Sequence, residues 1–131
     1  MKRMLCVAAA ALLVIGCSEN TLKVENRSVV NIILNFRAKE YTIPAGGADV
    51  TVSEIPNGTY GFSTIYQATS GDMEVTPGDG LSGEYTFERS GTDALLIYGS
   101  YAEWDTAADQ WSVTVWAQSS TSDPAAAIVG P

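Results

Sequence analysis

The chain has 131 residues, fifteen acidic against seven basic side chains, a formal net charge of −8 and no histidine. Without histidine there is no imidazole general base, no imidazole metal ligand and no Ser-His-Asp triad. A surface of this sign repels nucleic acid and anionic lipid headgroups, so no nucleic-acid partner is expected.

Lys2 and Arg3 open the chain, and an apolar run follows from Met4 to Ile15. The run is too short to span a bilayer, which takes roughly 20 apolar residues in a helix. A basic start followed by a short apolar stretch has the form of an export signal. The stretch ends in Leu13-Val14-Ile15-Gly16-Cys17. These residues resemble the lipobox of bacterial lipoproteins, in which a small residue precedes a cysteine; Val14 stands where that family usually has Leu. The resemblance implies cleavage after Gly16, a diacylglycerol on the Cys17 sulfur and often a further acyl chain on its amino group. Residues 1–16 are then the signal peptide, and 17–21 the lipidated cysteine with a short tether. It also implies a place in the bacterial cell envelope, with the membrane as partner through those acyl chains. Ser18 after the cysteine favours the outer membrane and leaves open which face the domain occupies.

Cys6 would leave with the signal, so Cys17 would be the one remaining cysteine and no internal disulfide could form. Thiol catalysis and a structural zinc site would go with it. Five basic residues would remain (Lys23, Arg27, Arg37, Lys39 and Arg89) against all fifteen acids. Residues 17–131 are enough for one domain with a sizeable core.

From Leu22 onward, apolar and polar residues alternate with period two, the pattern of half-buried strands. Leu22 and Val24 begin it, and Val30, Ile32, Leu34 and Phe36 continue it. Tyr41 and Ile43 form a short segment that Pro44-Ala45-Gly46-Gly47 ends. Val50 and Val52 follow, then the turn signal Pro56-Asn57-Gly58. Tyr60, Phe62 and Tyr66 share one face. Residues 70–83 are rich in glycine and read as a loop. Tyr85 and Phe87 alternate next, Ala94 to Tyr98 form a further strand, and Trp111, Val113, Val115 and Ala117 the last. Residues 101–110 read as a polar connection and 119–131 as a flexible tail.

About eight short, regularly spaced strands rich in β-branched and aromatic residues predict an all-β fold over 22–118. An antiparallel β-sandwich, Ig-like or prealbumin-like, fits best; a small closed β-barrel is the alternative. Helix is expected only in the signal peptide. The stretch from Tyr41-Thr42-Ile43-Pro44-Ala45-Gly46-Gly47 to Ile55-Pro56-Asn57-Gly58-Thr59-Tyr60 resembles turn phrases of prealbumin-like surface modules. That resemblance implies a sandwich and carries no function.

No catalytic set and no cofactor are expected. Serine nucleophiles lack a visible base, with neither Gly-x-Ser-x-Gly nor Ser-x-x-Lys present. The acidic loop 71–80 does not match a calcium-loop spacing, so no metal is expected there. The aromatics offer more. Trp116 stands on the polar phase of its strand with Ser112 and Thr114, and Trp104 lies in the polar connection. Tyr98 and Tyr101 fall on opposite phases, so one of them faces outward. Trp111 shares the phase of Val113 and Val115 and is expected in the core. Trp104, Trp116 and Tyr101 are therefore the candidate contact residues. Exposed aromatics suit an envelope-protein partner or, by stacking on sugar rings, a glycan. The plainer alternative is a small second core beneath the 101–110 connection.

Overall fold

In a computed structural model, residues 19–121 and the backbone of 127–129 are described. Residues 1–18, where the signal peptide and the lipidated Cys17 are expected, and residues 122–126 and 130–131 lie outside the described residues.

Ten strands fold into two five-stranded sheets, and no helix is present among the described residues. In chain order they are β1 (Asn20–Asn26), β2 (Asn31–Phe36), β3 (Lys39–Ile43), β4 (Ala48–Ile55) and β5 (Gly58–Gln67). Then come β6 (Met73–Pro77), β7 (Gly83–Phe87), β8 (Asp93–Asp105), β9 (Gln110–Thr121) and β10 (Ala127–Val129). The first sheet has the order β4-β1-β8-β9-β6, and the second β10-β7-β5-β2-β3. Both sheets have free edges, so the fold is a sandwich and not a closed barrel. Pairing is antiparallel except for β1 with β8 and β6 with β9.

The inward phases supply one core. Leu22, Val24, Ile32, Leu34, Phe36, Ile55, Phe62, Tyr85, Phe87, Leu96, Tyr98, Val113 and Val115 are all buried. Tyr85 packs edge-on against Phe36 and stacks with Phe87 at 6.0 Å. The core does not lack polar groups, but each is satisfied. Asn20 and Asn26 stand on the inward phase at the two ends of β1, both fully buried. The Asn20 amide donates to the Ile55 carbonyl, and its Oδ1 accepts from the Thr92 N–H. The Asn26 amide donates to Val30 and Ile43 carbonyls, and its Oδ1 accepts from Ser28. Each asparagine therefore ties β1 to neighbouring turns at one end of the sandwich.

Several expectations need correction. The 70–83 loop contains a strand: Met73 and Val75 alternate with Glu74 and Thr76 on an edge beside β9. Two apolar residues between glycines gave too short a period to register. The 101–110 connection is mostly strand, because β8 runs on to Asp105 and pairs with β9 throughout. β9 continues to Thr121, and β10 adds an edge strand beside β7, so pairing extends past residue 118. Tyr60 and Tyr66 are only half-buried.

Arg37 and Ala38 join β2 to β3, both with positive φ (55° and 61°). Two such residues make the turn whose twist matches a hairpin, a place where Asn and Gly are usual. The Arg37 guanidinium lies 5.3 Å from the centre of the Tyr60 ring.

Candidate functional site

The three aromatics singled out from sequence all lie on the long β8–β9 hairpin, but they do not form one surface. Gly99 pairs with Trp116, Tyr101 with Thr114 and Trp104 with Trp111. Side chains alternate across a strand. Leu96 and Tyr98 face the core, so Trp104 shares their face and Tyr101 takes the other. Val113 and Val115 face the core, so Trp111 shares that face and Trp116 takes the outer one.

On the inner face, Trp104 and Trp111 lie beyond the buried zone. They are 45% and 42% exposed, although Val113, two residues from Trp111, is buried. The expected core position of Trp111 is thus corrected: its phase is right, but the core ends before it. Phase reports a face and not the length of sheet that is covered. The two indoles meet edge-to-face, 5.2 Å between centroids and 77° between planes, a favoured aromatic geometry. The turn beyond them is held by Asp105, whose Oδ1 accepts from the Ala107 and Ala108 N–H groups. Glu103, Asp105 and Asp109 lie at the same end of the hairpin, and no lysine or arginine follows Arg89 in the sequence.

On the outer face, Tyr101 is 59% exposed while Tyr98 is buried, as the opposite phases require. Trp116 is half-buried. A Cβ on Gly99 would overlap three atoms of the Trp116 six-membered ring, so the indole rests on the bare backbone of β8. Beside it, the Gly78 N–H donates to the Val115 carbonyl and the Ala117 N–H to the Asp79 carbonyl. These bonds carry the line of β6 past Pro77 and set Asp79 against β9. Gly78, Asp79, Tyr101, Thr114 and Trp116 together line an open pocket of about 370 Å³. Gly78 and Asp79 stand out in the sequence only as part of the acidic 71–80 loop, and Gly99 not at all; only their partners' register brings them together.

Two tyrosines have perturbed ionisation, and both belong to the core. Burial pushes Tyr85 up to about 12, against a hydrogen bond with Ser119 that works the other way. Burial also raises Tyr98, whose hydroxyl is 2.6 Å from that of Thr64. Neither lines the pocket. Among the described residues no group of three or more carboxylates is placed to hold a metal ion.

The chain matches no protein-family model, and no curated protein matches it by sequence.

Proposed function

We propose that this chain is a lipid-anchored, non-catalytic β-sandwich of the bacterial cell envelope that works by protein contact. Cys17 carries the acyl chains, and the β8–β9 hairpin carries the contact surface. One observation supports this division. β1 runs parallel to β8, with Thr21 beside Asp93 and Asn26 beside Tyr98. β8 continues to Asp105 after β1 has ended. The start of β1 and the hairpin turn therefore lie at opposite ends of the molecule. At the usual rise of a strand the thirteen residues of β8 span about 40 Å.

An anchor placed just before β1 would thus hold Trp104 and Trp111 far from the bilayer, facing whatever lies beyond it. Two acyl chains give stable attachment where one is marginal. Charge agrees with this orientation. Lys23 and Arg27 pair with Glu25, at 3.4 and 2.6 Å. The other basic residues, Arg37, Lys39 and Arg89, lie in or next to turns toward the anchored end. The hairpin tip has only acids, which an anionic membrane would repel. Exposed tryptophans at an acidic hairpin end suit a protein partner with apolar and basic side chains. The reading as non-catalytic rests on the absence of histidine from the chain.

Growth with a labelled fatty acid tests the anchor. The expected result is a labelled chain in the membrane fraction, with label and attachment both lost in Cys17→Ser. An unlabelled, freely soluble wild-type chain would overturn it.

A further inference from the structure

We infer that the outer face of the hairpin carries a separate site for a neutral saccharide. Its floor is Trp116. One π face of the indole lies on the Gly99 backbone, where a Cβ would collide with the ring. Trp116 is also one of the residues that line the pocket. Tyr101 stands diagonally across the strand pair, since Tyr101 is opposite Thr114 and Trp116 is two residues on. The wall is built by a second close approach. A Cβ on Gly78 would stand 2.7 Å from the Val115 carbonyl oxygen. Glycine there lets the chain press against β9 and brings Asp79 to the rim beside Thr114 and Trp116. No hydrogen bond or ion pair engages the Asp79 carboxylate among the described residues.

These parts fit the two sides of a sugar. Ring C–H groups are apolar and slightly positive, and they stack on the electron-rich face of an aromatic ring. Hydroxyl groups need a few fixed partners: the Asp79 carboxylate accepts, and the Thr114 hydroxyl accepts or donates. A volume of about 370 Å³ admits one or two sugar rings. The sugar is neutral: Asp79 lines the pocket and Glu74 faces outward on β6, with no basic residue on β6, β8 or β9, and Arg27, whose backbone N–H donates to the Tyr98 carbonyl next to Gly99, is paired with Glu25. An organic cation is the rival ligand. Cations are best held by aromatic cages, whereas one ring lying along the sheet presents a platform.

The test titrates the full-length chain, in a non-glycosidic detergent, with neutral trisaccharides of glucose, galactose and N-acetylglucosamine. Tryptophan fluorescence and calorimetry report binding, and tetramethylammonium chloride is titrated in parallel. At least one trisaccharide should bind with an affinity that salt does not change. Trp116→Ala and Asp79→Ala should each weaken it about tenfold, the worth of one stacked ring or one charge-assisted hydrogen bond. Trp104→Ala, on the opposite face, should leave it unchanged. Asp79→Ala removes no packing, so it keeps the test valid if Trp116→Ala unfolds. Binding of no trisaccharide, binding that survives Asp79→Ala, or salt-sensitive binding of tetramethylammonium alone would each overturn the inference. Any of these would leave the protein-contact reading standing, because that reading uses Trp104 and Trp111.

Discussion

Trp104 and Trp111 face each other across the β8–β9 ladder, edge to face, on the core side of the sheet but past the end of the core. Each indole keeps nearly half of its surface exposed. Alanine at either position should therefore lower stability by only about 1 kcal/mol, the worth of an aromatic pair. It should also remove an exciton couplet from the far-ultraviolet circular dichroism. A cost of several kcal/mol would mean that the pair is core.

Gly99 and Trp116 are coupled by exclusion. Gly99→Ala should cost about 1–3 kcal/mol, because the added methyl displaces a ring seated on the backbone. In a Trp116→Ala background the same change should cost nothing, or stabilise the strand by removing glycine's entropy. Urea unfolding of the four proteins measures the cycle. Additive effects would show that the indole does not lie on Gly99.

Asn26 fills a buried position with four hydrogen bonds to Ser28, Val30 and Ile43. Asn26→Ala should destabilise by about 3 kcal/mol, since buried carbonyls and an N–H lose their partner together. Asn26→Asp should not rescue it, because a carboxylate cannot donate to Val30 and Ile43. Chemical denaturation at neutral pH checks both.

Tyr85 makes stability fall in alkali. An unfolded tyrosine ionises near 10, and burial pushes the folded one up to about 12. The native state holds this proton more tightly, so its contribution is whole below pH 10 and is lost as pH rises through that window. Tyr98 acts in the same direction. Tyrosinate absorbance should show two late tyrosines that ionise with unfolding. Tyr85→Phe should flatten the alkaline fall while losing the hydrogen bond to Ser119. Two tyrosines titrating freely near 10 in the folded protein would contradict this.

The sandwich was legible because its strands obey period two: Ile32, Leu34 and Phe36, or Val113 and Val115, read directly as inward. Polar exceptions on that phase were also legible in principle. Asn20 and Asn26 flank Leu22 and Val24 at even spacing, and a buried asparagine at a strand end points to tied turns. The extent of pairing was not legible. Ala102 and Trp104 do alternate with Glu103 and Asp105, but two apolar residues in an acidic stretch read as a connection, and it is the register with Gln110 to Val113 that makes it strand. β6 was hidden for a related reason, as an edge needs few apolar residues. The outer pocket was half legible. Trp116 and Tyr101 are out of phase with the core, but Asp79 reaches them through a parallel pairing that no local pattern encodes.

In the proposed arrangement the hairpin tip meets a protein partner while the chain is anchored at the other end. A photo-crosslinking amino acid placed at position 102, exposed and on the same face of β8 as Trp104, tests it in intact cells. Position 63, on the outer face of the second sheet, serves as control. A discrete protein adduct is expected from position 102 that Trp104→Ala with Trp111→Ala abolishes, and none of that size from position 63. No adduct from position 102, or the same adduct from both positions, would contradict this arrangement.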